Sequence, residues 1–173
     1  MSAFVQLSKG RALPEDFERM FQQHHALVYR TAYRVTGNAE DAEDVLQTLF
    51  LRLLRRKEPA NFHVNPRAYL HRAAVNISLD VLRRRRHEVS PDESIPAGDR
   101  TREAVEAQEL VVAALAELSP KSAEMFVLKH VVGYDNHEIA KIIGSSKGAV
   151  AVMLFRARAQ LKKFIRRRME DKL

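Results

Sequence analysis

At 173 residues the chain has room for one domain of ordinary size or two small ones. Its 46% hydrophobic content is enough for packed cores, and six glycines and six prolines suit helices better than a sandwich or barrel. A formal net charge of +7 points to a polyanionic partner, nucleic acid or an anionic membrane surface, while the lack of cysteine excludes disulfides and thiolate metal sites. Residues 1–17 hold no apolar core of signal-peptide length. No stretch approaches the roughly 18 apolar residues of a membrane helix. A cytoplasmic protein without membrane insertion is therefore expected.

A first helix is predicted over 14–35, where Phe17, Met20, Phe21, Leu27, Val28, Ala32 and Val35 recur close to a period of about 3.6. Gly37 and Asn38 stop it, and Asn38 is placed to cap a second helix running to about residue 56. Glu40, Asp41, Glu43 and Asp44 then fall in the first turns of that helix, where its dipole favours acids. Residues 59–66 read as a loop. A third helix spans 66–86, with Pro66 suited to its first turn and six arginines against the single Asp80.

The next segment, 87–99, is acidic and contains Pro91, Pro96 and Gly98, so it reads as a linker. It divides the chain into a domain over 14–88, a linker over 89–101 and a second domain over 102–173. In the second domain one helix is predicted over 102–118, and Ser119-Pro120 opens another to about 132, broken by Gly133. Asn136 is expected to cap a short helix over 137–143. Gly144-Ser145-Ser146 makes a tight turn, and a last helix covers 147–169. The expected fold is all-α: two small helical domains joined by a linker.

The strongest local signal is 136–161. A short helix with Ile139, Ala140 and Ile143 inward, a glycine-led turn and a longer basic helix follow helix-turn-helix grammar. Val150, Leu154, Ala157 and Leu161 form one stripe of the second helix and should face the core. Taken alone, the segment also fits any helical hairpin with a basic end. The helix over 66–86 is the second signal. Arg67, Arg72 and the run Arg83 to Arg86 offer phosphate contacts, and Tyr69, Asn76, Phe62, His63 and Asn65 are suited to stack on or hydrogen-bond unpaired bases. A solvated charged face is the plainer reading of that arginine run, and Phe62 serves equally well as a core plug.

Three segments together resemble the extracytoplasmic-function (ECF, group-four) sigma factors of the sigma-seventy family. Asp41-Ala-Glu-Asp-Val-Leu-Gln-Thr-Leu-Phe50 is similar to the family's region-two signature. Pro66-Arg-Ala-Tyr-Leu70, with Asn76, Asp80 and the arginine run, resembles the helix that opens and reads the minus-ten element. Leu118-Ser-Pro120, Gly133, Glu138-Ile-Ala140, Gly144-Ser-Ser146, Gly148, Val150 and Arg156-Ala-Arg158 resemble the region-four helix-turn-helix that reads the minus-thirty-five element. The resemblance covers about 17–162, and the order and spacing of its pieces are more specific than any piece.

The resemblance implies a sigma factor that binds core RNA polymerase, through its clamp helices and flap, and directs promoter recognition, strand opening and transcription initiation. Asp41, Asp44, Gln47, Thr48 and Arg52 would contact core polymerase. Phe62, His63, Asn65, Arg67, Tyr69, Arg72, Asn76, Arg83 and Arg84 would contact the minus-ten element. Lys147, Ala151, Val152, Phe155, Arg156, Arg158 and Lys162 would contact the minus-thirty-five element. An anti-sigma factor is a further partner that the resemblance admits. No cofactor, metal site or enzymatic activity is expected: His24-His25 diverge on a helix and lack a third ligand, His137-Glu138 lacks a second histidine, and no glycine-rich phosphate loop or nucleophile–base pair is present.

One departure stands out. The family commonly carries polar or basic residues before Arg-Ala-Arg, whereas this chain has Gly148-Ala-Val-Ala-Val-Met-Leu-Phe155. At about 100° per residue, Val152, Phe155 and Ala159 fall opposite the core stripe, so the outward face is apolar. Such a face either reads thymine methyls and groove shape or is covered by protein. Two other functional classes compete with the sigma reading. A stand-alone helix-turn-helix regulator explains only the C-terminal half, and a basic adaptor or membrane-surface protein predicts polyanion binding without sequence preference.

Overall fold

The computed structural model describes residues 15–55, 62, 64–88 and 102–170. Among them the regular elements are all helical, as the apolar periodicity predicts: α1 (Glu15–Thr36), α2 (Ala39–Arg55), α3 (Pro66–Glu88), α4 (Arg102–Ala116), α5 (Pro120–Val127), a π-helical turn (Leu128–Val132), α6 (Asn136–Ile143) and α7 (Lys147–Glu170). The chain forms two compact units, Met1–Ser78 and Leu79–Leu173.

In the first unit α1 packs along α2. The Phe50 ring receives Phe17 and Phe21 edge-on, with centroids 6.1 and 4.9 Å away, and Val28, Ala32, Val45, Leu49, Leu70 and Val75 complete the core. The sharp reversal between α1 and α2 rests on Gly37, at φ 64°, where a side chain would be strained. Asn38 Oδ1 then accepts from the Asp41 amide at 3.1 Å, the cap expected from the sequence. Buried Thr31 and Thr36 satisfy their hydroxyls on the Leu27 and Ala32 carbonyls.

In the second unit α7 packs on α4, α5 and α6. Ser119 Oγ accepts from the Ser122 amide and Pro120 takes the first helical position, so α5 opens as predicted. The α-helix expected to run to about 132 stops at Val127 and widens into the π turn. Its cause is local: the Leu128 carbonyl accepts from both Gly133 and Tyr134, each at 3.0 Å, with Gly133 at φ 97°. The cap of α6 also differs from expectation. Asp135, rather than Asn136, accepts from the His137 and Glu138 amides, and the Glu138 carboxylate accepts from the Asp135 amide at 2.8 Å. This reciprocal box satisfies donors at both ends of the turn, which Asn136 alone could not do.

Candidate nucleic-acid interface

The geometry of the second unit is set by α6, the turn and α7. Gly144 sits at φ 66°, and its neighbour Ser145 donates its amide to the Ala140 carbonyl at 2.8 Å. Ser146 Oγ accepts from the Ala149 amide and starts α7. Ile139 and Ala140 are buried, Ile143 is half-buried, and Val150, Leu154, Ala157 and Leu161 all face the core. Two contacts that the sequence did not reveal also steady α7. Gln160 donates to the Glu117 carbonyl just past the end of α4 at 2.6 Å. Arg158 Nη2 lies 3.4 Å from His130 Nε2, which accepts when the imidazole is neutral. Burial, with the Arg158 and Lys129 charges, holds the His130 pKa below its ordinary value and so favours that neutral form.

With α7 oriented this way, Lys147, Ala151, Val152, Phe155, Arg156, Arg158 and Lys162 are all exposed. Val152 is 50% and Phe155 73% exposed, which is unusual for large apolar side chains. The predicted minus-thirty-five residues therefore share one accessible helix surface.

On α3 the predicted residues separate. Tyr69, Arg72, Asn76 and Arg83 lie within one side of the helix and are half-buried, while Arg84 is exposed beside them. Arg83 is held by Asp80 at 3.1 Å. Arg67, also exposed, lies toward α1, where its charge acts on His24 and His71. Burial, then Arg67 and Arg34, pushes the His71 pKa down to about 4. Asn65 is exposed, but its Oδ1 is engaged as the cap of α3, accepting from the Ala68 amide at 3.0 Å. Phe62 is only 5% exposed and packs edge-on against Tyr69, so the structure places it in the core. His63 lies outside the described residues.

On α2, Asp44 and Arg52 are exposed, and Gln47 and Thr48 are half-buried. Asp44, Thr48 and Arg52 recur every fourth residue and so line one flank. Asp41 is 6% exposed and does not join that accessible strip. Among the described residues no group of three or more His, Cys, Asp or Glu is arranged to hold a metal ion, and no helix is long and apolar enough to cross a membrane.

Residues 20–88 match Sigma-70 region 2, and residues 108–161 match Sigma-70, region 4. The ECF RNA polymerase sigma factor SigM of Mycobacterium tuberculosis is 32% identical over 151 residues, spanning 86% of this chain and 76% of SigM. The chain belongs to the ECF RNA polymerase sigma factors. SigE of Mycolicibacterium smegmatis, another such factor, is 32% identical over 176 residues, spanning 95% of this chain and 67% of SigE. The fold is shared with CnrH, solved in complex with the cytosolic domain of CnrY (24% identity, TM-score 0.53, 93% of each chain). It is also shared with the sigma factor RpoE solved with the anti-sigma factor NepR from Bartonella quintana (21% identity, TM-score 0.54, 88% of this chain and 98% of RpoE).

As a sigma factor the chain binds core RNA polymerase and two promoter elements, and it directs promoter recognition, strand opening and transcription initiation. It is an initiation factor, not an enzyme. Family members act on RNA polymerase.

Proposed function

We propose that the three surfaces divide the work of initiation. Residues 14–88 form the region-two domain, 89–101 the linker and 102–173 the region-four domain; although the contact units divide inside α3, the match to Sigma-70 region 2 runs over 20–88 and supports keeping the whole helix in the first domain. The α2 flank of Asp44, Gln47, Thr48 and Arg52 docks on the clamp helices of core polymerase, with Asp41 at its buried edge. The side of α3 that carries Tyr69, Arg72, Asn76, Arg83 and Arg84 receives the minus-ten element, with Asn65 at the start of the helix and Arg67 on its other face, toward α1. Phe62 supports Tyr69 from within the core, and His63 is a further minus-ten contact. The helix-turn-helix places α7 in the major groove of the minus-thirty-five element, with Lys147, Arg156, Arg158 and Lys162 on phosphates. The factor works in the cytoplasm, where its polymerase is, and an anti-sigma protein is a further partner.

The observation that carries this reading is the accessibility of every predicted α7 contact while the opposite stripe of the same helix is buried. Phosphate contacts position a protein and dominate its salt dependence, so the surfaces can be separated by charge reversal. Asp44→Lys with Arg52→Glu should weaken binding to purified core polymerase at least tenfold and spare duplex contacts. Arg156→Glu with Arg158→Glu should leave core binding intact and remove dependence on the upstream element. Unchanged core affinity in the α2 variant would remove α2 from the polymerase contact.

A further inference from the structure

A helix in the major groove reads base edges with its first turns, and those turns of α7 carry almost nothing that can hydrogen-bond. From Gly148 to Phe155 the only side-chain heteroatom is the sulfur of Met153, a weak acceptor on a half-buried residue. Paired hydrogen bonds from arginine to guanine, or from asparagine or glutamine to adenine, are therefore unavailable from this stretch.

What the helix offers instead is ordered. Gly148, Val152, Phe155 and Ala159 follow the spacing i, i+4, i+7, i+11, and all four are exposed. The buried stripe of Val150, Leu154, Ala157 and Leu161 has the same spacing, displaced by two residues, or about 200° around the helix. Exposed cations border the apolar line: Lys147, Arg158 and Lys162 on one flank, Arg156 and Lys163 on the other. An α-helix about 10–12 Å across fills a major groove about 12 Å wide, so two basic flanks meet the phosphates of its two walls. This apolar ridge between cationic borders complements duplex DNA, which has an anionic rim on each side of the groove floor.

We propose that Val152 and Phe155 are specificity-determining residues that recognise the C5-methyl groups of thymines in the upstream promoter element. The inference rests on the assignment of α6 and α7 to that element. The thymine methyl is the apolar group that base edges present in the major groove, so an apolar reading head selects thymine where a polar one selects guanine or adenine. Ala151 and the bare Gly148 let the backbone approach closely; a Cβ at Gly148 would meet no atom within 4 Å of this chain. The cations supply affinity without sequence preference, and the ridge supplies the choice of base.

The test alters the DNA and leaves the protein intact. The upstream element is first defined by selection with the full chain bound to core polymerase. Each of its thymines is then replaced singly by uracil, which keeps the hydrogen-bonding edge and removes the methyl. Affinity should fall about fourfold at each contacted position, the weight of one buried carbon, and Val152→Ala or Phe155→Ala should suppress that loss at its own position. Equal affinity for all uracil duplexes, with the element still required, would overturn the proposal, leave the upstream-element assignment standing and give the ridge to a protein partner. An element without thymine, or uracil sensitivity unchanged in both variants, would overturn it equally. If the upstream element is not required at all, the assignment of α6 and α7 fails first and the proposal with it.

Discussion

Leu154 and Phe155 are neighbours in sequence with opposite surroundings, and truncating each should have opposite consequences. Leu154 is 3% exposed in the stripe that anchors α7. Removing its branched end leaves a cavity and loses transfer free energy, about 3 kcal/mol within the usual range for Leu→Ala. For a folding unit of this size that lowers the midpoint of thermal unfolding by roughly 12–24 °C. Phe155 has most of its ring in solvent. Phe155→Ser therefore changes stability by no more than about 0.5 kcal/mol, as for other surface substitutions away from caps and networks. Thermal and urea unfolding of the full chain, followed by circular dichroism, reads both. A loss of more than about 10 °C in Phe155→Ser would mean the ring is packed inside the folded chain and is not free to enter a groove. A tolerated Leu154→Ala would mean the stripe is not the core of the helix-turn-helix.

Gly144→Ala should cost about 1–2 kcal/mol through backbone strain alone, since its φ is 66° and a Cβ there meets nothing within 4 Å; Gly144→Asn should recover part of the loss in the same unfolding assay. Ser78 is fully buried and its Oγ has no hydrogen-bond partner among the described residues, so Ser78→Ala should raise stability by about 1 kcal/mol, read as an upward shift of the urea midpoint. His71 binds a proton less readily folded, near pH 4, than unfolded, near 6.5, so its contribution to stability is complete above about pH 6.5 and is lost as pH falls toward 4. His71→Gln should flatten that part of the stability–pH curve, and a slope unchanged by the substitution would remove His71 as its source.

Much of the fold was legible because it follows from local rules. The periodicity of α1, the Asn38 cap, the Ser119-Pro120 start, the left-handed Gly144 and the buried stripe of α7 are each fixed by a few neighbouring residues. The misplaced cap of α6 shows the limit of such rules. Asp135 and Asn136 are both good caps, and the reciprocal bond with Glu138 selects Asp135. The π turn depends on one carbonyl serving two amides beyond the helix, which apolar periodicity does not register. Site residues were harder to read because residue type does not determine burial. Phe62 and Asn65 have the chemistry of base contacts, yet one packs on Tyr69 and the other caps α3. Asp41 lies in the acidic signature but turns into the core. By contrast, the exposed apolar ridge of α7 was visible from spacing alone, because the opposite stripe left it nowhere else to face.

The most direct test of the whole account is reconstitution with purified bacterial core polymerase, followed by selection of transcribed sequences from a random promoter library. A stable complex that initiates from a consensus of two separated elements is the expected result. Failure to bind core polymerase, with a single duplex site selected by the chain alone, would contradict it and make the chain an ordinary helix-turn-helix regulator.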